Sequence, residues 1–176
     1  MITRYFWNGF QHAAFALVCV AVFYRVHPSL LYKSSPFWAG VIFSSSALFF
    51  IPLHIGKSGS LTDKLYQFLH YPLPDWDILF CGMKWHRFFA THSLLLPTLL
   101  FLENKKTPML PLPLILGLSI GIGSHLIWDG VTGSMSTPIV FIPYLFSIKG
   151  YWAKGWLIVN GLLLLAAPYY VQTHKL

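Results

Sequence analysis

The sequence is short of charge, and shortest of negative charge. Only 10% of its 176 residues are Asp, Glu, Lys or Arg, and five are acidic. A soluble domain carries about 25% charged residues. This chain cannot furnish an ordinary water-facing surface, so lipid must form part of its solvent. No polar stretch is long enough to be a separate soluble domain, which leaves one integral membrane domain over residues 1–176. Basic runs are missing too. The formal net charge of +7 comes from twelve bases set against five acids, and Lys33, Lys57, Lys64, Lys105, Lys106, Lys149 and Lys154 are scattered through connecting segments. Without a basic run or a platform of alternating bases and aromatics, nucleic-acid binding is a poor reading. Bases lying against anionic lipid headgroups account for the charge. Cysteine is scarce. Cys19 and Cys81 share no CxxC spacing, and nothing supports a disulfide. The N-terminal apolar stretch lacks an A-x-A cleavage pattern and reads as a retained first helix.

What the chain has in quantity is apolar length. A spanning helix needs about 20 mostly apolar residues. The candidates are Phe6–Val26, Pro36–Leu53, Phe88–Leu102 (short, and carrying Pro97), Leu110–Trp128 as the strongest, and Trp156–Val171. The stretch Thr137–Ile148 is apolar but holds Pro138 and Pro143, and reads as re-entrant or interfacial. The expected fold is all-α, a polytopic transmembrane helical bundle of about five spans, within a range of four to six. The motif-bearing region is about 54–135. Within it, Thr62–His70 could form a short amphipathic helix on the membrane surface.

Three polar clusters stand out in this apolar background. Asp129 closes the strongest span, one helical turn after His125. Residues four apart share a helix face, and a His and a carboxylate so placed can bind one metal ion together. An ionisable residue at membrane depth is costly and is a functional candidate by default. The second cluster is Pro72-Leu73-Pro74-Asp75-Trp76-Asp77. If extended, it points both carboxylates to one side, where a cation or an Arg between them would relieve their repulsion. The third is His86-Arg87 followed by Thr91-His92-Ser93. In one continuous helix His86 and His92 would diverge by about 120°, so sharing an ion requires a helix that begins between them. Arg87 offers a planar fork for a phosphate or carboxylate oxygen, and Thr91 and Ser93 offer hydroxyls. His12 in the first span and His54 after the second are further candidate ligands.

In order, Pro74-Asp75-x-Asp77, His86-Arg87, Thr91-His92-Ser93 and Gly123-Ser124-His125-Leu126-x-x-Asp129, with Thr132 and Gly133 behind, resemble the YdjM-like family of bacterial membrane-bound metal-dependent hydrolases. The likeness covers about residues 70–135. Two positions depart from the family pattern: three residues rather than two separate His86-Arg87 from Thr91, and Ile78 stands where a His is common. The resemblance implies a divalent metal, zinc by preference, held by Asp75, Asp77, His86, His92, His125 and Asp129, with His12 or His54 adding to them. Asp77 and Arg87 would then be catalytic, and Arg87, Thr91 and Ser93 would contact substrate. The implied activity is phosphoester hydrolysis on a lipid or membrane-near substrate by a metal-activated water, in a bacterial inner or thylakoid-type membrane. The competing expectation is a catalytically degenerate or non-catalytic subunit or assembly factor of a larger membrane complex. On that reading, His12 and His125 in apolar spans would ligate a pigment or haem.

Overall fold

The computed structural model describes residues 2–26, 33–47, 68–82 and 86–173. In chain order these form α1 (Ile2–Val26), α2 (Ser35–Ser45), a 3-10 turn (Leu73–Trp76) running into the short α3 (Asp77–Cys81), α4 (Leu95–Lys106), α5 (Leu112–Thr132), a hairpin of β1 (Ile139–Ile142) and β2 (Phe146–Ile148), and α6 (Gly150–Thr173). Among the described residues, three helices are long and apolar enough to cross a membrane, over Phe6–Phe23, Leu112–Thr132 and Gly150–Val171. At 11 and 12 residues, α2 and α4 rise roughly 16–18 Å, well short of the about 30 Å hydrocarbon core. The rest of the expected second span, with His54 and most of the expected surface helix, lies outside the described residues.

Helix α5 is the axis of the fold, and its sequence explains why. Pro111 and Pro113 open it, where a missing N–H costs nothing because the first-turn donors have no helical partner. Its glycines then remove side chains where neighbouring backbones approach. A Cβ on Gly117 would strike the Phe37 carbonyl, and one on Gly40 would lie 2.8 Å from the Leu118 nitrogen. Gly117 and Gly121 are four apart and face Gly40 and Ser44, the small-residue spacing that lets membrane helices touch at backbone distance. Ser44 completes the seam, donating its hydroxyl to Gly40 O at 2.7 Å or Leu118 O at 3.2 Å. On another face Gly123 meets Gly161 of α6. Ala16 and Val20 of α1 pack with Phe37, Val41 and Ile120. Helices α1 and α6 therefore run opposite to α5, and α2 runs with it. The C-terminal ends of α2 and α5 come together with the N-terminal halves of α1 and α6.

Three expectations about local structure need correction. The fold is mostly helical rather than all-α: the stretch read as re-entrant or interfacial is an antiparallel hairpin, with Ile139 opposite Ile148 and Val140 opposite Ser147. Pro143 and Tyr144, the latter at φ 66, make its turn. Residues 73–77 are not extended. The fixed φ of proline suits a first helical turn as well as a strand, and Asp75 N–H donates to Pro72 O at 2.9 Å. The helix expected from Phe88 begins only at Leu95, because residues 86–94 are drawn into a turn pinned to the hairpin.

Candidate metal centre

That turn is the device that gathers the site. Arg87 adopts φ 69, a left-handed conformation uncommon for a bulky residue and held only where its surroundings demand it. Val140 of β1 supplies the demand. Its N–H donates to Arg87 O at 3.0 Å and its carbonyl accepts from Phe89 N at 2.9 Å. From α6, Trp156 Nε1 donates to His92 O at 3.0 Å, and Asn160 Oδ1 accepts from Leu94 N at 3.1 Å. Trp156 and Asn160, one helical turn apart, thus fix the far end of the loop.

The result is a buried cluster. Asp75 Oδ1 lies 3.3 Å from His125 Nε2, 3.7 Å from His92 Nε2 and 3.8 Å from His86 Nε2. The rear nitrogen of each ring is accounted for. His86 Nδ1 lies 3.2 Å from Asp77 Oδ1, His92 Nδ1 lies 3.3 Å from Asp77 Oδ2, and His125 Nδ1 lies 3.1 Å from Ser45 O. Carboxylate and carbonyl oxygens only accept, so in the tautomer that bonds them each Nδ1 carries the hydrogen and a neutral ring turns its Nε2 lone pair toward Asp75; His92 Nδ1 also lies 3.1 Å from Thr91 Oγ1. A hydrogen-bonded Nδ1 behind a forward lone pair is the usual preparation of a metal-binding His. Asp75 Oδ1, His92 Nε2 and His125 Nε2 are all buried without a hydrogen-bond partner among the described residues. Leaving such atoms unsatisfied costs about 1–3 kcal/mol each, a cost a shared cation removes. Donors about 2.0–2.1 Å from one tetrahedral ion stand about 3.3–3.4 Å apart, close to the distances seen.

Two donor groups can be distinguished. Asp75, His86 and His92 offer one set of atoms within 4.8 Å of one another, and His12, His125 and Asp129 offer a second. Asp75 belongs to the first and faces His125 of the second. The His12 and His125 rings stack with centroids 4.4 Å apart, and His12 Nε2 lies 3.7 Å from Asp129 Oδ1. Arg87 Nη2 donates to Asp129 Oδ2 at 3.0 Å. The guanidinium is buried, and its Nε and Nη1 have no partner among the described residues. Gly133 leaves it room, since a Cβ there would collide with Arg87 Nη2 and Asp129 O.

Electrostatics agree with the geometry. Burial pushes the Asp75 carboxyl up, but the adjacent imidazoles of His125, His92 and His86 hold it well below its ordinary range. Burial likewise opposes ionisation of Asp77, and the His86 and His92 imidazoles overcome it. His92 is the complement: burial lowers it, while Asp75 and Asp77 raise it to about 9. The cluster demands positive charge, which a proton or a cation can meet.

Of the residues singled out in the sequence, Asp75, Asp77, His86, Arg87, His92, His125, Asp129 and His12 converge here. Asp77 stands behind the histidines rather than among their forward lone pairs, and also accepts from Phe88 N at 2.7 Å. Thr91 Oγ1 lies 3.2 Å from Asp77 Oδ2 and 3.0 Å from Phe88 O. Ser93 Oγ accepts from Leu95 N at 3.2 Å. Both hydroxyls are engaged within the protein. Ser45, Trp156 and Asn160 escape sequence reasoning, because a residue acting through a backbone contact has no motif. Asn160, a buried amide in an otherwise apolar span, is the one available signal.

Comparison with known proteins returns no matching family model. No curated protein matches. No solved structure matches.

Proposed function

We propose that this chain is a membrane-bound, metal-dependent hydrolase of phosphoesters. The observation that carries this reading is the convergence of buried donor atoms, Asp75 Oδ1, His92 Nε2 and His125 Nε2, none of which has a hydrogen-bond partner among the described residues. Mixed imidazole and carboxylate donors suit zinc and similar divalent ions. A bound cation would supply Lewis-acid polarisation of a phosphoryl oxygen and an acidified water. The remaining work falls to the chain itself. Asp77 orients His86 and His92. Arg87 keeps two buried nitrogens, Nε and Nη1, to donate to the oxygens of a phosphoryl group, the ligand a planar guanidinium fork matches best.

The location supports a substrate at the bilayer surface. Asp129 lies three residues and His125 seven residues before the end of α5, roughly 5 and 10 Å from that end. The hairpin and the start of α6 lie at the same end. They expose Tyr144, Leu145, Tyr151 and Trp152, each at least 80% accessible. Aromatic residues concentrate at headgroup depth, so these side chains would seat the site among headgroups.

The test is elemental analysis of detergent-purified wild type beside His92→Ala, with release of phosphate or headgroup from lipid and from soluble phosphoesters. Divalent metal in wild type, its loss in the variant and metal-restored hydrolysis are expected. Metal-free protein whose activity ignores added Zn²⁺ removes the reading.

A further inference from the structure

The two donor groups are backed differently. Behind the first, Asp77 holds the Nδ1 of both His86 and His92. The second is less prepared. His12 Nδ1 is buried with no partner among the described residues, and Asp129 is already shared with Arg87 at 3.0 Å. Formal charge sharpens the contrast. Among the described residues, the charged groups that meet here are the carboxylates of Asp75, Asp77 and Asp129 and the guanidinium of Arg87. Three negative charges against one positive leave two, which one divalent cation cancels. A second cation would leave two positive charges in a buried site, and an uncompensated buried charge is strongly disfavoured.

We infer that the centre holds one divalent cation at rest, on Asp75, His86 and His92, and that His12, His125 and Asp129 take a second only together with a phosphomonoester dianion. The inference rests on the metal-dependent reading above and specifies its substrate class. A terminal phosphate carrying two negative charges restores neutrality and has oxygens for the open donors of Arg87, whereas a diester carries one charge and leaves the site positive. Asp75, which faces His125 across 3.3 Å, stands between the two groups and links their occupancy. The same dianion could be a lipid monoester headgroup or a water-soluble monoester.

Equilibrium dialysis against Co²⁺ tests this on metal-stripped protein in phosphatidylcholine nanodiscs, with bound metal counted and its visible absorption recorded. One equivalent is expected alone or with dimethyl phosphate, and two with methylphosphonate, which carries the dianionic charge and does not hydrolyse. Discs containing phosphatidate locate the source. Two equivalents there without soluble anion assign the dianion to a lipid headgroup. One equivalent there, with two on methylphosphonate, assigns it to a soluble monoester. Asp129→Asn and, independently, His12→Gln should hold the count at one in every arm. Two equivalents without any dianion, or one in every arm for wild type, overturns the inference while leaving the metal centre standing. No bound Co²⁺ at all overturns the metal-dependent reading itself.

Discussion

Asp77 Oδ2 stands 3.3 Å from Nδ1 of His92, on the far side of the ring from Asp75. The other Asp77 oxygen meets Nδ1 of His86 at 3.2 Å, so one carboxylate orients two imidazoles. An Asn at this position offers a single acceptor oxygen and turns a donor toward the second ring. Asp77→Asn should therefore weaken metal binding about 10–100-fold, the usual effect of losing such a partner, without abolishing it. Competition against a chromophoric chelator measures this. Unchanged affinity would show that Asp77 does not set the rings, and complete loss would place it among the ligands.

Arg87 separates metal binding from turnover. It contacts Asp129, and its Nε and Nη1 are buried without partners among the described residues. Arg87→Lys keeps the charge but loses the fork. It should lower kcat/KM on an aryl phosphate monoester about 10²–10³-fold, the range for removing a preorganised donor, with the resting metal equivalent retained. Gly133→Ala should do the same by displacing Arg87 Nη2. Metal loss in step with activity, in both variants, would reassign Arg87 to holding the cluster together.

The distance along the chain over which each feature is determined explains how much of it is legible in the sequence. His125 and Asp129 are visible because four residues on a helix fix their relation locally. The apolar lengths of α1, α5 and α6 are visible for the same reason. The meeting of His86 with His92 is not, because it depends on Arg87 at φ 69 and on Val140, more than fifty residues downstream. The hairpin is easily misread because Pro138 and Pro143 signal interruption without saying what is interrupted. Asp75 and Asp77 are both legible as site residues. Their division of labour depends on which side of the imidazoles each occupies, and sequence spacing holds no trace of that.

The glycine seam offers a stability prediction with a built-in control. Gly117 lies against the backbone of Phe37, while a Cβ on Gly155 would meet nothing within 4 Å. Gly117→Leu must force α2 and α5 apart, carrying Ser45 away from His125. A loss of about 3 kcal/mol or more is expected for overpacking at backbone contact, together with loss of the second, dianion-dependent metal equivalent. Gly155→Ala, in an open helical position, should be neutral or stabilise by up to about 1 kcal/mol. Thermal denaturation in one detergent compares them. Equal melting temperatures for both variants would mean that α2 does not pack on α5 in this way.

The hairpin tests whether the site sits at headgroup depth. β2 ends at Ile148, and Gly150 begins the span of α6, so the tip cannot be far from the bilayer surface. Tyr144 and Leu145 are 80% and 82% accessible, and Val140 ties this hairpin to Arg87 at 3.0 Å. Burying such side chains in the acyl boundary is favourable by roughly 25 cal/mol per Å² of apolar area. In a background with Cys19→Ser and Cys81→Ser, a fluorophore on Leu145→Cys should be quenched by nitroxide lipids and shielded from aqueous iodide. Replacing Tyr144 and Leu145 together by Asp should leave soluble-monoester hydrolysis intact and depress turnover of a lipid monoester. Efficient iodide quenching with no lipid quenching would place the tip in water, and the headgroup-level position of the site would then have to be abandoned.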